Sequence, residues 1–373
     1  MLENRYFIIN SPYAWGRMGA DEARAMAQEI ARRDKVLYIT LDADVSTELR
    51  MFSPRENMWV LELPRMPMPT TDNPEEMRRV FESNHAKMTE IMRGVVSELG
   101  IDLDQTYLLL DNDMPLSSCL ADILSARLAM FYHTDHALPE WISPCRALDG
   151  QGKINRVDIT ITNNPKKTDD LRQTNPRTYN IGKGVDLTGY DIERIYLRPA
   201  DIADIQTPIV GLAGTVSSLF LSPNLVFSLA LALPDVTIVL LGSPDPLIAR
   251  HAIHSLGNVR FVGAKSSEEL PSYIAAFDVC VEPSINSHPN SFYRSAIVES
   301  LALGKTVVCS DVEHARPFGD YVTVAHDETD FVDKITDALH TRIPWSLRYK
   351  RVEFARSFSW PAVVERLYSV IFS

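Results

Sequence analysis

The sequence predicts an α/β protein built from mainly parallel, doubly wound sheets. Three observations carry that prediction. Short apolar, β-branched runs recur along the 373 residues and alternate with segments of helical period. Several of these runs end in Gly, Ser, Asn or Asp, the residue types that sit at the carboxyl ends of strands where a chain turns into a helix. The chain is also long enough for two or three domains with full cores.

The elements follow in order. Arg5 to Ile9 reads as a first strand, and Ser11 to Gly19 as a turn-rich loop containing Trp15, Gly16 and Gly19. Asp21 to Arg33 has Ala, Met and Ile at helical spacing, and Val36 to Leu41 is the second strand, so the chain opens strand, loop, helix, strand. Trp59 to Leu63 reads as a strand, Pro64 to Pro74 as a loop with four prolines, and Glu75 to Leu99 as a long amphipathic helix. Tyr107 to Leu110, Ala129 to Tyr132 and Val157 to Thr162 are further strands, with helices over Leu116 to Ala126 and Lys166 to Gln173. Beyond Gly184-Val185-Asp186, strands are expected at 208–212, 236–241, 259–262, 277–281, 306–309 and 322–324, separated by helices. That alternation requires crossover connections and so a parallel sheet. Helices from Phe331 onward end in an amphipathic tail to Phe372.

Composition narrows the class. Hydrophobic residues make up 45% and charged residues 23%, as in soluble globular proteins. A net charge of −12 argues against a nucleic-acid-binding protein, which normally presents a basic face. The four cysteines, Cys119, Cys145, Cys280 and Cys309, show neither disulfide nor metal spacing and read as small buried residues in a reducing compartment. No basic leader and no long uncharged apolar run is evident, so the expected location is the cytoplasm, with contact at the inner membrane surface left open.

One stretch concentrates the chemistry: Ala276 to Ser310, AFDVCVEPSINSHPNSFYRSAIVESLALGKTVVCS. It reads as strand, polar loop, helix, Gly304 stop, strand, which is a single βαβ unit with polar groups at the strand's carboxyl end. A helix N-terminus there offers free N–H groups and a positive dipole to a diphosphate. Arg294 at that start is disfavoured by the dipole unless an anion compensates it.

This stretch resembles the donor site of glycosyltransferases of the GT-B fold, and is similar to bacterial exopolysaccharide and cell-wall members of group 1. In that family a Glu on this helix, before a small-residue run and Gly-Lys-Pro-Val-Val, hydrogen-bonds the ribose of the sugar nucleotide. Here the run is Glu299-Ser300-Leu301-Ala302-Leu303-Gly304-Lys305-Thr306-Val307-Val308. Many retaining members have a second Glu eight residues earlier, where this chain has Ser291. The resemblance implies two Rossmann-like domains facing a cleft, with a C-terminal helix crossing back to the first. It places an acceptor domain at 1–186, a linker at 187–206, a nucleotide-sugar domain at 207–345 and the returning segment at 346–373. It implies no cofactor and no bound metal.

The resemblance also assigns roles. Gly214, Thr215 and Ser217, after the first strand of the second domain, would approach phosphates and sugar, with Ser243 after the next strand. Arg294 would clamp the β-phosphate bidentately. Ser291 and Tyr293 would line the donor site, Tyr293 being equally readable as core. Asp135, in Phe131-Tyr132-His133-Thr134-Asp135-His136, is the candidate general base of an inverting transfer, or else a loop cap. His133, His136, Gly16 and Gly19 would lie on the acceptor side. Trp15 reads as packing before it reads as a sugar platform.

The triplets Asp42-Ala43-Asp44 and Asp111-Asn112-Asp113 carry little weight, because with 49 acidic residues about six such triplets arise by chance. The implied substrates are a nucleoside diphosphate sugar, UDP ahead of GDP, and a hydroxyl acceptor: a glycan, a lipid-linked glycan or a small molecule. A catalytically silent subunit that binds a partner, and a sugar-nucleotide epimerase, stay open as alternatives.

Overall fold

The computed structural model describes residues 5–11, 15, 22–40, 48–64, 66–67, 73–111, 115–134, 157–214, 216–218, 221–283, 295–310 and 315–373. They fall into two compact units, one of residues 1–184 with 360–373 and one of residues 185–359.

The first unit contains β1 (Tyr6–Ser11), α1 (Glu22–Ile30), β2 (Lys35–Thr40), β3 (Arg50–Arg55), β4 (Met58–Glu62), α2 (Pro74–Leu99), β5 (Thr106–Asp111), α3 (Pro115–Leu124), β6 (Leu128–His133), β7 (Ile159–Thr162), α4 (Pro165–Arg172) and β8 (Thr178–Asn180). The strands form one sheet in the order β3-β4-β2-β1-β5-β6-β7-β8. Every pairing is parallel except β3 with β4.

The central strands are apolar on both faces because both faces are covered. Side-chain alternation sends Phe7, Ile9 and Tyr38 to one core with Met26 and Ile30 of α1. It sends Tyr6, Ile8 and Leu37 to the other, with Met88 and Met92 of α2 and Leu120 of α3. α2 is long because both ends are capped. The Asn73 side chain accepts from the Glu75 N–H, Pro74 fills the first position, and Gly100 closes the end in the left-handed conformation.

The second unit contains β9 (Ile209–Ala213), α5 (Pro223–Ala232), β10 (Thr237–Leu241), β11 (Val259–Gly263), α6 (Leu270–Ala276), β12 (Val279–Glu282), α7 (Ser295–Ala302), β13 (Thr306–Cys309), β14 (Thr323–Val324), α8 (Glu328–His340) and α9 (Trp345–Arg356). Its sheet is entirely parallel, in the order β11-β10-β9-β12-β13-β14. Val239, Leu241, Cys280 and Val307 face a core with Ile274 of α6 and Ile297 and Leu301 of α7. Val210, Leu212, Ile238 and Val281 face the other, with Leu229 of α5 and Phe331 and Ile335 of α8. The last helix, α10 (Trp360–Phe372), belongs to the first unit, where Trp360, Val363, Val364 and Leu367 enter the core on the α1 side.

Three differences from the sequence reading have physical causes. Residues 187–206, expected as a linker, are part of the second unit, where Ile202 and Ile205 are buried in its core. The return to the first unit comes at Trp360, not 346, because α9 packs its Ala355 into the second core. β3 has no counterpart in the sequence reading, since it is a mostly exposed, polar edge strand containing Pro54.

Cys119, Cys280 and Cys309 are buried and in no disulfide among the described residues, and Cys145 lies outside them. Among the described residues no helix is long and apolar enough to cross a membrane.

Candidate functional site

In the second sheet the chain runs outward from β9 through β10 to β11, then returns to lay β12 on the other side of β9. The carboxyl ends of β9 and β12 therefore form a switch point, where diverging loops leave a crevice for a ligand. Gly214 follows β9 there, with φ at 135°. Its N–H donates to Leu241 O of β10 at 3.1 Å. Gly242, with φ at 146°, lies against it: a Cβ at that position would sit 2.3 Å from Gly214 O. Only two glycines let the two loops touch in this way.

Ser243, next in line, is exposed at the same edge. Ser217 is tied down, its hydroxyl donating to Asp245 Oδ2 at 3.0 Å. Asp245 also accepts from Ser218 N, Ser218 Oγ, Leu247 N and Ile248 N. These bonds, that from Ile248 foremost, hold its carboxyl well below the usual carboxylate range. Asp245 thus fixes the two loops to each other. Thr215 lies outside the described residues.

α7 starts at the same edge after the segment that follows β12. Glu299 sits one turn into it and keeps only a partly exposed surface. Burial pushes its carboxyl up to about 7, with the neighbouring Asp186 carboxylate adding to the rise and the Tyr190 hydroxyl opposing it. Tyr190 is itself raised, by burial first and then by Glu299.

The rest of the Gly304-Lys305 run is structural. Gly304 turns the chain at φ 68°, and Lys305 Nζ donates to Ala275 O and Phe277 O at 2.7 and 2.6 Å, fastening the end of α6. Glu282 is a buried carboxylate at the very end of β12. Ser291, Tyr293 and Arg294 lie outside the described residues.

In the first unit the equivalent crossover point lies between β1 and β5. His133 ends β6, half-buried, its ring 6.3 Å from that of Phe131. Gly16, Gly19, Asp135 and His136 lie outside the described residues, as do Asp42, Asp44, Asn112 and Asp113. Trp15 packs edge-on against Tyr38 at 5.1 Å, and its carbonyl accepts from Arg24 Nη1, which makes it a packing residue.

A polar cluster that the sequence reading missed gathers nearby. The buried Glu22, first residue of α1, accepts from Tyr132 Oη at 2.8 Å and Asn163 Nδ2 at 2.9 Å, and Lys183 Nζ pairs with it at 3.4 Å. Asn163 Oδ1 is buried without a hydrogen-bond partner. Polar residues at the ends of β6 and β7 were the available signal, but nothing local says that they meet at Glu22.

Residues 224–341 match the family model described as "Glycosyl transferases group 1". No curated protein matches the chain. Among solved structures the chain is similar to a sucrose-phosphate synthase from Thermosynechococcus elongatus, at 20% identity, 99% of each chain covered and a TM-score of 0.62. It is similar to HepE of Anabaena in complex with UDP, at 15% identity, 99% of each chain and a TM-score of 0.66. It is also similar to a UDP-forming trehalose-phosphate synthase from Burkholderia xenovorans, at 10% identity, 100% of this chain and 99% of that one, with a TM-score of 0.68. These likenesses span both units at once and identify the architecture. The chain has the GT-B fold of glycosyltransferases, and its second unit bears the family match of the group 1 glycosyl transferases.

Proposed function

We propose that the protein moves a sugar from a nucleoside diphosphate sugar, UDP ahead of GDP, to a hydroxyl acceptor in polysaccharide or glycoconjugate synthesis. The observation that carries this is the placement of the family match. It falls on the unit whose switch point joins Gly214, Gly242 and α7 with Glu299. In this reading the ionised Glu299 accepts hydrogen bonds from the ribose hydroxyls. Backbone N–H groups near Gly214 and Gly242 meet the diphosphate, and Arg294 neutralises it as it departs. UDP, UDP together with glucose, and UDP-2-fluoro glucose accompany related folds of low identity, which supports uridine over guanosine. The work is done in the cytoplasm, without a metal ion.

The test is thermal stability against UDP and GDP in the presence of a chelator. UDP should raise the melting temperature by mass action, and Glu299→Ala should lose most of that shift. A variant that responds as the parent does removes the ribose role. Release of nucleoside diphosphate from UDP-sugar then separates an active transferase from a silent subunit.

The transfer itself is proposed to invert the anomeric centre, with Asp135 as base, because Ser291 stands where retaining relatives place a carboxylate. Asp135→Asn should lower turnover about 10²–10⁴-fold while UDP binding survives. A retained anomeric configuration in the product, read from its anomeric proton, would contradict inversion.

A further inference from the structure

The opposite edge of the second sheet holds a cavity of about 580 Å³, at the amino ends of β12 and β13 and therefore away from the switch point. Its walls include Asp278, Lys305, Arg342, Trp345 and Arg348. For a protein with a net charge of −12, that is a local reversal of sign: three cations against one carboxylate. Asp278 does not neutralise the guanidinium groups. Its Oδ2 accepts from Ile209 N at 2.7 Å.

Among the described residues Arg342 has neither a hydrogen-bond nor an ion-pair partner. Arg348 has no carboxylate either; its guanidinium lies over the Trp345 ring at 4.4 Å. Trp345 is 57% exposed, an unusual state for the largest apolar side chain. Behind the wall Arg351 is 5% exposed, with Nη1 on Thr306 Oγ1 at 3.0 Å and Nε unpartnered. Arg348 acts on its neighbours as an uncompensated charge, helping to lower both Lys305 and Arg351, although burial is the larger cause for each. The charge of Arg348 thus disfavours those of Lys305 and Arg351, and a bound anion would relieve that.

We propose that this cavity is a second ligand site, which takes a phosphate-bearing molecule between Arg342 and Arg348 with Trp345 as its apolar wall. Two guanidinium groups match the oxygens of a phosphate better than ammonium groups would. The volume is that of a small-molecule site, larger than a bare phosphate needs. The geometry also provides a route to the first site. Arg348 Cβ lies against Gly304, whose added Cβ would be 2.9 Å from it, and Gly304 ends the helix that bears Glu299. The phosphate can belong to a soluble molecule or to a lipid headgroup, since the same contacts serve both.

The test uses pyrophosphate at constant ionic strength, with saturating UDP present so that the switch-point site is filled. Binding should raise the melting temperature and change the tryptophan emission. The emission change should vanish in Trp345→Phe. The double variant Arg342→Gln/Arg348→Gln should bind pyrophosphate at least about tenfold more weakly, because each contact to a charged partner is lost, while its response to UDP stays parental. The comparison between parent and double variant holds whether or not UDP binds.

Sedimentation with phosphatidylglycerol vesicles, lost in the double variant, would assign the phosphate to a lipid. Pyrophosphate binding without sedimentation would assign it to a soluble ligand. A parent that responds to pyrophosphate no more than to chloride, or a double variant that binds it as the parent does, overturns the site.

Discussion

If Glu299 holds the ribose as proposed, folding and binding make opposite demands on its one proton. Its ordinary carboxyl value is 4.5, and in the folded chain it stands at about 7. Below pH 4.5 both folded and unfolded chains carry the proton and the group contributes nothing to pH dependence. Between 4.5 and 7 the unfolded chain releases the proton while the folded chain keeps it, so stability falls as pH rises, and it levels above 7. Glu299→Gln removes that decline. Denaturant titrations from pH 4 to 8 should show the two curves diverging by up to about 3 kcal/mol, less to the extent that solvent reaches the side chain. Superimposable curves would mean that the carboxyl is not raised. Ribose hydroxyls donate to a carboxylate, so UDP affinity should move the other way and strengthen as pH rises through about 7.

At the scale of elements, the joint between α7 and α9 depends on one missing side chain. Gly304 combines φ at 68° with neighbours on two sides: an added Cβ would lie 2.8 Å from Ile192 Cδ1 and 2.9 Å from Arg348 Cβ. Gly304→Ala must therefore bear backbone strain and push α9 or the segment at Ile192 away from α7. The expected loss is about 2–4 kcal/mol, read as a lower denaturant midpoint with an unchanged slope. A change under about 0.5 kcal/mol would show that the joint yields freely. The segment matters because it also carries Tyr190, the partner of Glu299. Residues expected to tether two domains instead shape a site within one.

For the whole molecule, the chain leaves the first unit at Gly184 and re-enters it at Trp360. The returning α10 places Trp360, Val363, Val364, Leu367 and Tyr368 in the first core, and Tyr368 Oη donates to Asp34 Oδ2 at 2.7 Å. Truncation after Ser359 removes five buried side chains, each worth roughly 2 kcal/mol or more, a total comparable with the stability of a domain. Hydrogen exchange should then show β1 and β2 unprotected while β9 and β12 keep their protection. Retained protection in β1 would show that the first core closes without its last helix.

The order of strands and helices was legible in the amino-acid sequence because it rests on local physics. Strands covered on both faces must be continuous apolar runs, as in Tyr6–Ser11 and Ile209–Ala213. Gly304 announces a helix end by the same left-handed conformation that the structure gives it. The motif around Glu299 singled that residue out, and the structure adds its burial and its partner. What the sequence left undecided are relations between residues far apart in the chain. Among them are the order of the sheets, Tyr190 against Glu299, Asp245 between two loops, and Glu22 collecting Tyr132, Asn163 and Lys183. They also include Arg342 and Arg348 facing a shared cavity. A local pattern records which face of an element is apolar, not which partner will cover it. That choice is made by the packing of all elements at once, and the side chains it brings together acquire their chemistry only from that packing.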